Sequence, residues 1–403
     1  MGDLADVRAA YERIHAHILR TPLQGSQTLS RMAGAKIHLK CENLQKTGSF
    51  KARGALNRIL QLEQSERRRG VVAASAGNHA QGVAYAGAIA GVDVTVVMPV
   101  SAAIAKIEAT RGYGAEVVLA GEDYAAAFRH AAKLARRSRA TLVPAFDDDR
   151  VIAGQGTVGV EILEDLPGVE IVVVPVGGGG LAAGIAAAIA PIAPRVQVIG
   201  AQAELASTLV PSLRARRRIA ATPAPTIADG LATSSIGARP WRILRRRLRR
   251  AVTVGEAEIA AAILLLLERA KLVVEGAGAT ALAACLGPLR RAIAGRCVAV
   301  VLSGGNIDVN VLDRILNLGL AKQGRVFRFA TVLDDRPGAL SRLTAVVGEA
   351  GANIKTIHHD RGRVDVGVLE TLVIAEIETR GPEHVPEIVR RLRAAGYRLI
   401  ADV

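Results

Sequence analysis

Between residues 36 and 302, short apolar runs alternate with longer stretches that carry apolar residues at helical spacing. Residues 36–41 alternate polar and apolar positions as a short strand. Residues 71–73, 92–98, 115–119, 141–144, 171–176, 196–202 and 297–302 are apolar runs of the kind that form buried strands. Residues 51–64, 101–112, 122–138, 153–165, 181–190 and 255–270 read as helices. So do residues 3–20, where Pro22 biases Thr21 to extended geometry and closes the helix. This β, α, β, α alternation predicts an α/β fold with a parallel sheet covered on both faces. In such a sheet the strands end along one edge, and ligands bind outside that edge.

Residues 211–240 interrupt the pattern with several Pro, Arg and Gly, the composition of an irregular segment that lines a site. Beyond Gln323 the register changes. Residues 326–333 read as a strand, 334–338 as a turn, 339–350 as a helix, 352–359 and 368–379 as strands, 382–395 as a helix and 397–403 as a last strand. That order, βαββαβ, predicts a ferredoxin-like sandwich, so the chain is expected to divide into domains 1–322 and 326–403.

A length of 403 residues suits that division. Half of the residues are hydrophobic, but no run of about 18 apolar residues appears, and no membrane span is expected. The start, Met1-Gly-Asp-Leu-Ala-Asp6, lacks the basic flank and apolar core of a secretory signal. Cys41, Cys285 and Cys297 are odd in number and lack metal-like pairing, which suits buried free thiols in the cytoplasm. The net charge of +15 brings nucleic acid to mind as a partner. Its dense patch at 241–250, however, places Ile243, Leu244 and Leu248 on one side of a helix and most arginines on the other, as a solvated amphipathic helix does. Aromatic residues for stacking on bases are few, so no nucleic acid is expected.

The candidate chemistry sits at the turns. Lys46-Thr-Gly-Ser-Phe-Lys51-Ala-Arg-Gly54 reads as a turn feeding a helix, with Ser49 as its cap and Lys51 in the first turn. The positive helix end and Arg53 are expected to lower the pKa of Lys51 toward the range where a free amine attacks a carbonyl, and the matching partner is an aldehyde cofactor. Ser75-Ala-Gly-Asn-His-Ala-Gln-Gly82 follows a strand and opens a helix, which puts free N–H groups and Asn78 where a carboxylate can dock. Gly177-Gly-Gly-Gly-Leu181 opens an Ala-rich helix and suits a phosphate. Glu275-Gly-Ala-Gly-Ala279 is another small-residue turn before a helix. The loops at 75–82, 177–181 and 303–306 all follow strands and so can converge on one ligand.

In this order, Ser49-Phe-Lys-Ala-Arg-Gly54, Ser75 to Gly82, Gly177 to Leu181 and Ser303-Gly-Gly-Asn306 resemble the threonine ammonia-lyases. These are pyridoxal-phosphate enzymes of the tryptophan-synthase-β-like fold, and the resemblance covers residues 1 to about 322. Asp335-Arg-Pro-Gly-Ala-Leu340 and Gly351-Ala-Asn-Ile354 resemble a single ACT domain. The resemblance implies that Lys51 condenses with the aldehyde of pyridoxal 5'-phosphate and later acts as general base, and that Phe50 packs against the cofactor ring. It implies that Asn78 bonds the 3-hydroxyl, that Gly177, Gly178, Gly179, Gly180 and Leu181 hold the phosphate through backbone N–H groups, and that Ser303 faces the pyridine nitrogen. Ser75, Ala76, Gly77, Asn78 and His79 form the implied substrate loop. A serine does not hold a proton on that nitrogen, so the ring is a milder electron sink that suits β-elimination. The implied reaction converts L-threonine to 2-oxobutanoate and ammonia, and L-serine to pyruvate, in isoleucine synthesis or threonine catabolism. The ACT segment implies an amino-acid effector, such as isoleucine or valine, near Arg336, Gly338 and Asn353, and a homo-oligomer, dimer or tetramer.

Serine racemases share these motifs and are the nearest alternative. That family carries a second serine just before Gly-Asn-His, where this chain has Ala76, which cannot transfer a proton. Racemases also bind a divalent cation with acidic side chains after the strand ending here near Gln202. Gln202 and Thr208 stand in this region, with Glu204 close by, and no metal is expected. His358 and His359 face opposite sides of a strand and are not expected to form a metal pair. A non-catalytic amino-acid sensor is the other alternative, against which the intact Lys51 and glycine loop speak.

Overall fold

The structure, a computed structural model, describes residues 3–361 and 367–400. The chain forms two compact units, Met1–Asp308 and Val309–Val403. The helix Val309–Lys322, unassigned from the pattern, falls in the second unit.

The first unit holds two sheets. The larger runs, edge to edge, Leu23–Gly25, Lys36–Lys40, Cys297–Val301, Ile171–Pro175, Gln197–Ala203 and Arg250–Val254, parallel except for the first strand. The smaller runs Glu116–Leu119, Val94–Met98, Val71–Ala74 and Thr141–Leu142, all parallel. Strands Ile171–Pro175 and Val71–Ala74 are buried along their whole length, which is why their sequences are unbroken apolar runs. Each sheet has its own core, Val172, Ile185 and Trp241 in one and Leu56, Val83 and Met98 in the other.

Several elements depart from the expected bounds. The edge strand Arg250–Val254 is masked in the sequence by the arginine run before it, although Val252 and Val254 alternate inward. Residues 211–240 are not wholly irregular: helix Leu209–Ala215 enters them and helix Ala238–Arg247 leaves them. The latter buries Trp241 and Leu244 and exposes its arginines. The helix from Lys51 stops at Ile59, and a second one, Gln64–Arg69, starts from a capping box at Glu63. The first helix, Leu4–Ile14, gives way to a 3₁₀ turn, His15–His17. Cys41 and Cys285 are buried, whereas Cys297, expected buried, is only partly so at the start of its strand.

The second unit is a four-stranded antiparallel sheet, in the order Asn353–Asp360, Glu370–Glu378, Val326–Asp334, Leu399–Ile400. Helices Ala339–Glu349 and His384–Ala394 lay Leu343, Val347, Ile388 and Leu392 against Phe329, Val373 and Ile377. Residues 401–403 of the expected last strand, and Met1 and Gly2, lie outside the described residues. Among the described residues no helix is long and apolar enough to cross a membrane.

Candidate active site

Lys51 is the first residue of the helix Lys51–Ile59, with Phe50 rather than Ser49 at the cap position. The Ser49 hydroxyl is buried with no hydrogen-bond partner among the described residues. The turn is held by its backbone instead: Phe50 N–H donates to Ser303 O at 3.1 Å, and Ser49 bridges Gly304. The lysine turn and the end of strand Cys297–Val301 are therefore fixed to each other.

Arg53 does not depress Lys51. Its guanidinium enters a buried ion cluster, donating to Glu42 at 2.7 and 2.8 Å and to Glu161 at 2.6 and 2.9 Å, while Lys40 Nζ reaches Glu161 at 2.6 Å. These four side chains have no exposed surface, and their charges offset one another. Burial is what pushes the Lys51 amine down to about 8, with Glu275 pulling it partly back. Lys51 Nζ donates to Ala145 O at 3.0 Å and lies 5.1 Å from the centroid of the Phe50 ring.

This amine opens on a cavity of about 270 Å³ whose wall brings together Phe50, Ser75, Ala76, Gly77, Asn78, His79, Gly177, Gly178, Gly179, Gly180, Leu181 and Ser303. Phe146, Lys106, Asp229, Thr233, Glu275 and Asn306 also line it; Asp229 and Thr233 come from the segment 211–240 expected to line a site, Asn306 and Glu275 from turns already singled out, and Phe146 and Lys106 from positions to which the sequence had attached no role. Helix Asn78–Ala90 starts at Gly77 with no side-chain cap, leaving its first N–H groups for an anion. His79 is buried with Nε2 2.9 Å from Val143 O. Burial, and then the charge of Lys51, push its imidazole down to about 3, so it is neutral and its Nε2–H donates to that carbonyl.

Gly179 has φ +93, a left-handed conformation, and leads into the uncapped helix Gly180–Ile192. A side chain on Gly178 would strike the Phe146 ring, so packing as well as ligand approach requires glycine there. Thr233 Oγ1 is buried in the cavity wall with no partner among the described residues. Its segment packs on Gly177, against which Leu231 would meet any added Cβ at 3.0 Å. An unpartnered hydroxyl beside an uncapped helix end fits a phosphate, and an enclosed amine of lowered pKa fits an aldehyde. The donor set thus suits pyridoxal phosphate.

Asn306 Nδ2 donates to Thr47 O at 2.7 Å and to Asn78 Oδ1 at 2.8 Å, and Asn78 Nδ2 donates to Glu275 Oε1 at 2.7 Å. Burial first and Asp229 second push the Glu275 carboxyl up to about 7, against the Asn78 hydrogen bond, Lys106 and Lys51. Lys106 and Asp229 pair at 2.9 Å. The signal for Glu275 in the sequence was its place before Gly276 and Gly278, which let that turn press on Ile227 and Gly304. Gln202 is occupied structurally: its Oε1 accepts from Leu209 N–H at 2.7 Å and its Nε2 donates to Val176 O at 3.1 Å. Among the described residues no group of three or more His, Cys, Asp or Glu is placed to hold a metal ion.

In the second unit a cavity of about 410 Å³ is lined by Asp334 to Leu340, His359, Arg361 and Thr371, and so includes Arg336 and Gly338. Asn353 is not part of it. Register places Asn353 opposite Glu378, level with Val326, whereas Asp334 is level with Glu370 at the other end of the sheet. Its Nδ2 donates to Glu378 Oε2 at 3.1 Å.

Comparison with known proteins matches residues 14–304 to the family described as pyridoxal-phosphate dependent enzyme. The L-threonine ammonia-lyase of Thermotoga maritima is 48% identical over 399 residues, 99% of this chain and 99% of that one. Among solved structures, a threonine deaminase from T.th. is 44% identical with a TM-score of 0.72, covering 76% of this chain and 99% of that one. A serine racemase from Dictyostelium discoideum is 36% identical, also with a TM-score of 0.72, and covers 76% of this chain and 99% of its own.

Proposed function

The chain belongs to the pyridoxal-phosphate dependent enzymes, and from that premise we propose that it deaminates L-threonine to 2-oxobutanoate and ammonia, and L-serine to pyruvate, by β-elimination of the hydroxyl. The observation that carries this reading is the buried amine of Lys51, lowered to about 8, in one cavity that two uncapped helix N-termini also line. Bound pyridoxal phosphate supplies an aldehyde for an amine and a ring that withdraws electrons from Cα. Of the residues that line the cavity, Phe50 would hold that ring, Asn78 its hydroxyl and Ser303 its nitrogen. Gly177 to Leu181, with Thr233, would hold the phosphate. Lys51, partly the free base near neutral pH, removes the Cα proton. The substrate carboxylate docks on the uncapped loop Ser75–His79, where the neutral His79 donates its proton to a carbonyl and adds no charge. Ala76 has no proton to give, which favours elimination over inversion and separates this chain from the serine racemases of similar fold.

On the same reading residues 1–322 are the catalytic domain and 326–403 an ACT regulatory domain, whose cavity at Arg336 and Gly338 takes a branched-chain amino acid. The N-terminus of helix Ala339–Glu349, at Gly338 with no side-chain cap, suits the effector's carboxylate. The protein works as a homo-oligomer, a dimer or tetramer, in the cytoplasm, which its free thiols suit. Its product feeds isoleucine synthesis, or the reaction serves threonine breakdown.

Keto-acid release from the L and D forms of threonine and serine tests the reaction. L-Threonine is expected to lead, with little D-serine formed from L-serine. Holoenzyme that made D-serine as fast as pyruvate would overturn the lyase reading. Ala76→Ser is expected to raise D-serine formation.

A further inference from the structure

We propose that Glu275 is a positioning residue: it fixes the Asn78 amide, against Asn306 on the other side, in the one orientation that offers an N–H to the cofactor. The proposal rests on the reading of Lys51 and Asn78 as cofactor residues.

The direction of the hydrogen-bond chain carries the argument. Thr47 O can only accept, so the end of Asn306 that meets it at 2.7 Å is the amide nitrogen. That same nitrogen meets Asn78 at 2.8 Å, so Asn78 presents its oxygen there. The Asn78 nitrogen is left facing Glu275 at 2.7 Å, and a carboxylate accepts without donating. A backbone carbonyl at one end and a carboxylate at the other thus allow a single polarity. Glu275 takes one of the two Asn78 N–H groups; the second has no partner among the described residues, and Asn78 lines the cavity. Space is reserved for this contact, because a Cβ on Gly304 would press on Glu275 and stand 3.0 Å from Asn78 Nδ2.

The charged groups facing Glu275 are Asp229, Lys106 and Lys51. Asp229 and Lys106 pair with each other, and of these three Lys51 is the one with no ion pair among the described residues. Protonation of Glu275 adds a donor beside its remaining acceptor, so this end of the chain no longer demands an N–H from Asn78 and only the Thr47 end still enforces the polarity. With the carboxyl pushed up to about 7 by burial and Asp229, that change falls in the neutral range.

The test uses the full-length protein with pyridoxal 5'-phosphate as probe, reading its dissociation constant and the absorbance of the bound cofactor from about pH 5.5 to 9, a span around that pKa. Glu275→Ala leaves the Asn78 nitrogen unpaired and is expected to weaken binding about tenfold and to lower kcat more than it changes KM for L-threonine. Glu275→Gln keeps an accepting oxygen, so binding is expected within about threefold of the parent. It has no carboxyl to titrate, so the absorbance change near neutral pH disappears. In an Asn78→Ala background Glu275→Ala is expected to cost little more, since the two act as a unit. A Glu275→Ala protein with parental binding and pH titration overturns the proposal, as does a loss undiminished in the Asn78→Ala background. If Glu275→Ala fails to fold, a Glu275→Gln titration identical to the parent's overturns it. A parent that binds no pyridoxal phosphate removes the site reading itself; variants indistinguishable from a parent that binds it remove only the role of Glu275.

Discussion

The cavity at Lys51 and the cavity at Arg336 are both built where a strand end meets a helix start, and they differ in where their charges lie. Around Lys51 the ionisable groups are enclosed: His79 and Glu275 are displaced far from their ordinary values, and behind them Lys40, Glu42, Arg53 and Glu161 form a cluster with no exposed surface. Around Arg336 they stand in water. Arg336 and Asp334 pair at 3.4 Å with 74% and 62% of their side chains exposed, and Arg361 meets Asp335 at 3.0 Å. An enclosed charge needs definite partners at definite positions, because an orphan costs several kcal/mol, whereas an exposed pair contributes about 0–1 kcal/mol. The first cavity therefore constrains residue identity far more tightly than the second.

The sharpest way to break this contrast is at its centre. Lys51→Ala removes both the cofactor's anchor and the base, and L-threonine turnover is expected to fall a hundredfold or more. Keto-acid release within tenfold of the parent would show that the enclosed amine does not perform the chemistry.

The next effect is on stability. Arg53→Met leaves Glu42 and Glu161 buried beside Lys40 alone, and is expected to destabilise the first unit by about 3–5 kcal/mol in urea unfolding of the full chain. Lys51 and Arg53 are two residues apart, so the cluster also anchors the helix that presents the amine. A loss below about 1 kcal/mol would place this cluster with the exposed pairs of the second unit.

His79 offers a pH test. Its folded pKa lies below the ordinary value of 6.5, at about 3, through burial and Lys51. The unfolded chain therefore binds the proton more readily, and the associated stability is complete above about 6.5 and lost as pH falls toward 3. At about 1.4 kcal/mol per pH unit, the parent is expected to lose roughly 2 kcal/mol more than His79→Gln between pH 7 and pH 5. Glutamine still offers Val143 O a donor. Parallel losses in the two proteins would mean that His79 is not held neutral.

How much was legible follows from the same contrast. Lys51, the loop at Ser75 and the glycine run could be read because each is a local answer to a local demand: a strand end, a helix start, room for an anion. Glu275 could not, because its part depends on Gly276 and Gly278 packing against Ile227 and Gly304 from distant segments. The depression of Lys51 was foreseen for the wrong reason. Arg53 is only two residues away in sequence, but Glu42 and Glu161, brought in by other elements, offset its charge. In the second unit the βαββαβ order was plain from periodicity, yet Asn353 was grouped with Arg336 because sequence spacing carries no register. Strand pairing puts it at the opposite end of the sheet.

The smallest expected effect tests the second cavity. Among the described ion pairs of this turn Arg336 meets only its near neighbour Asp334, in an exposed pair, so Arg336→Ala should move the unfolding free energy by no more than about 0.5 kcal/mol. If the cavity holds an amino-acid carboxylate, the same change removes a charged donor worth about 1.5–3 kcal/mol. The concentration of isoleucine or valine that half-maximally alters threonine kinetics should then rise at least tenfold, with the thermal midpoint of the effector-free protein almost unmoved. That pairing of a silent stability readout with a lost response is what an exposed binding cavity should give, and the Lys51 cavity should never give it. A parent whose kinetics and thermal midpoint respond to no proteinogenic amino acid would leave residues 326–403 as an assembly module. An Arg336→Ala protein with parental effector affinity would move the carboxylate to another part of the unit.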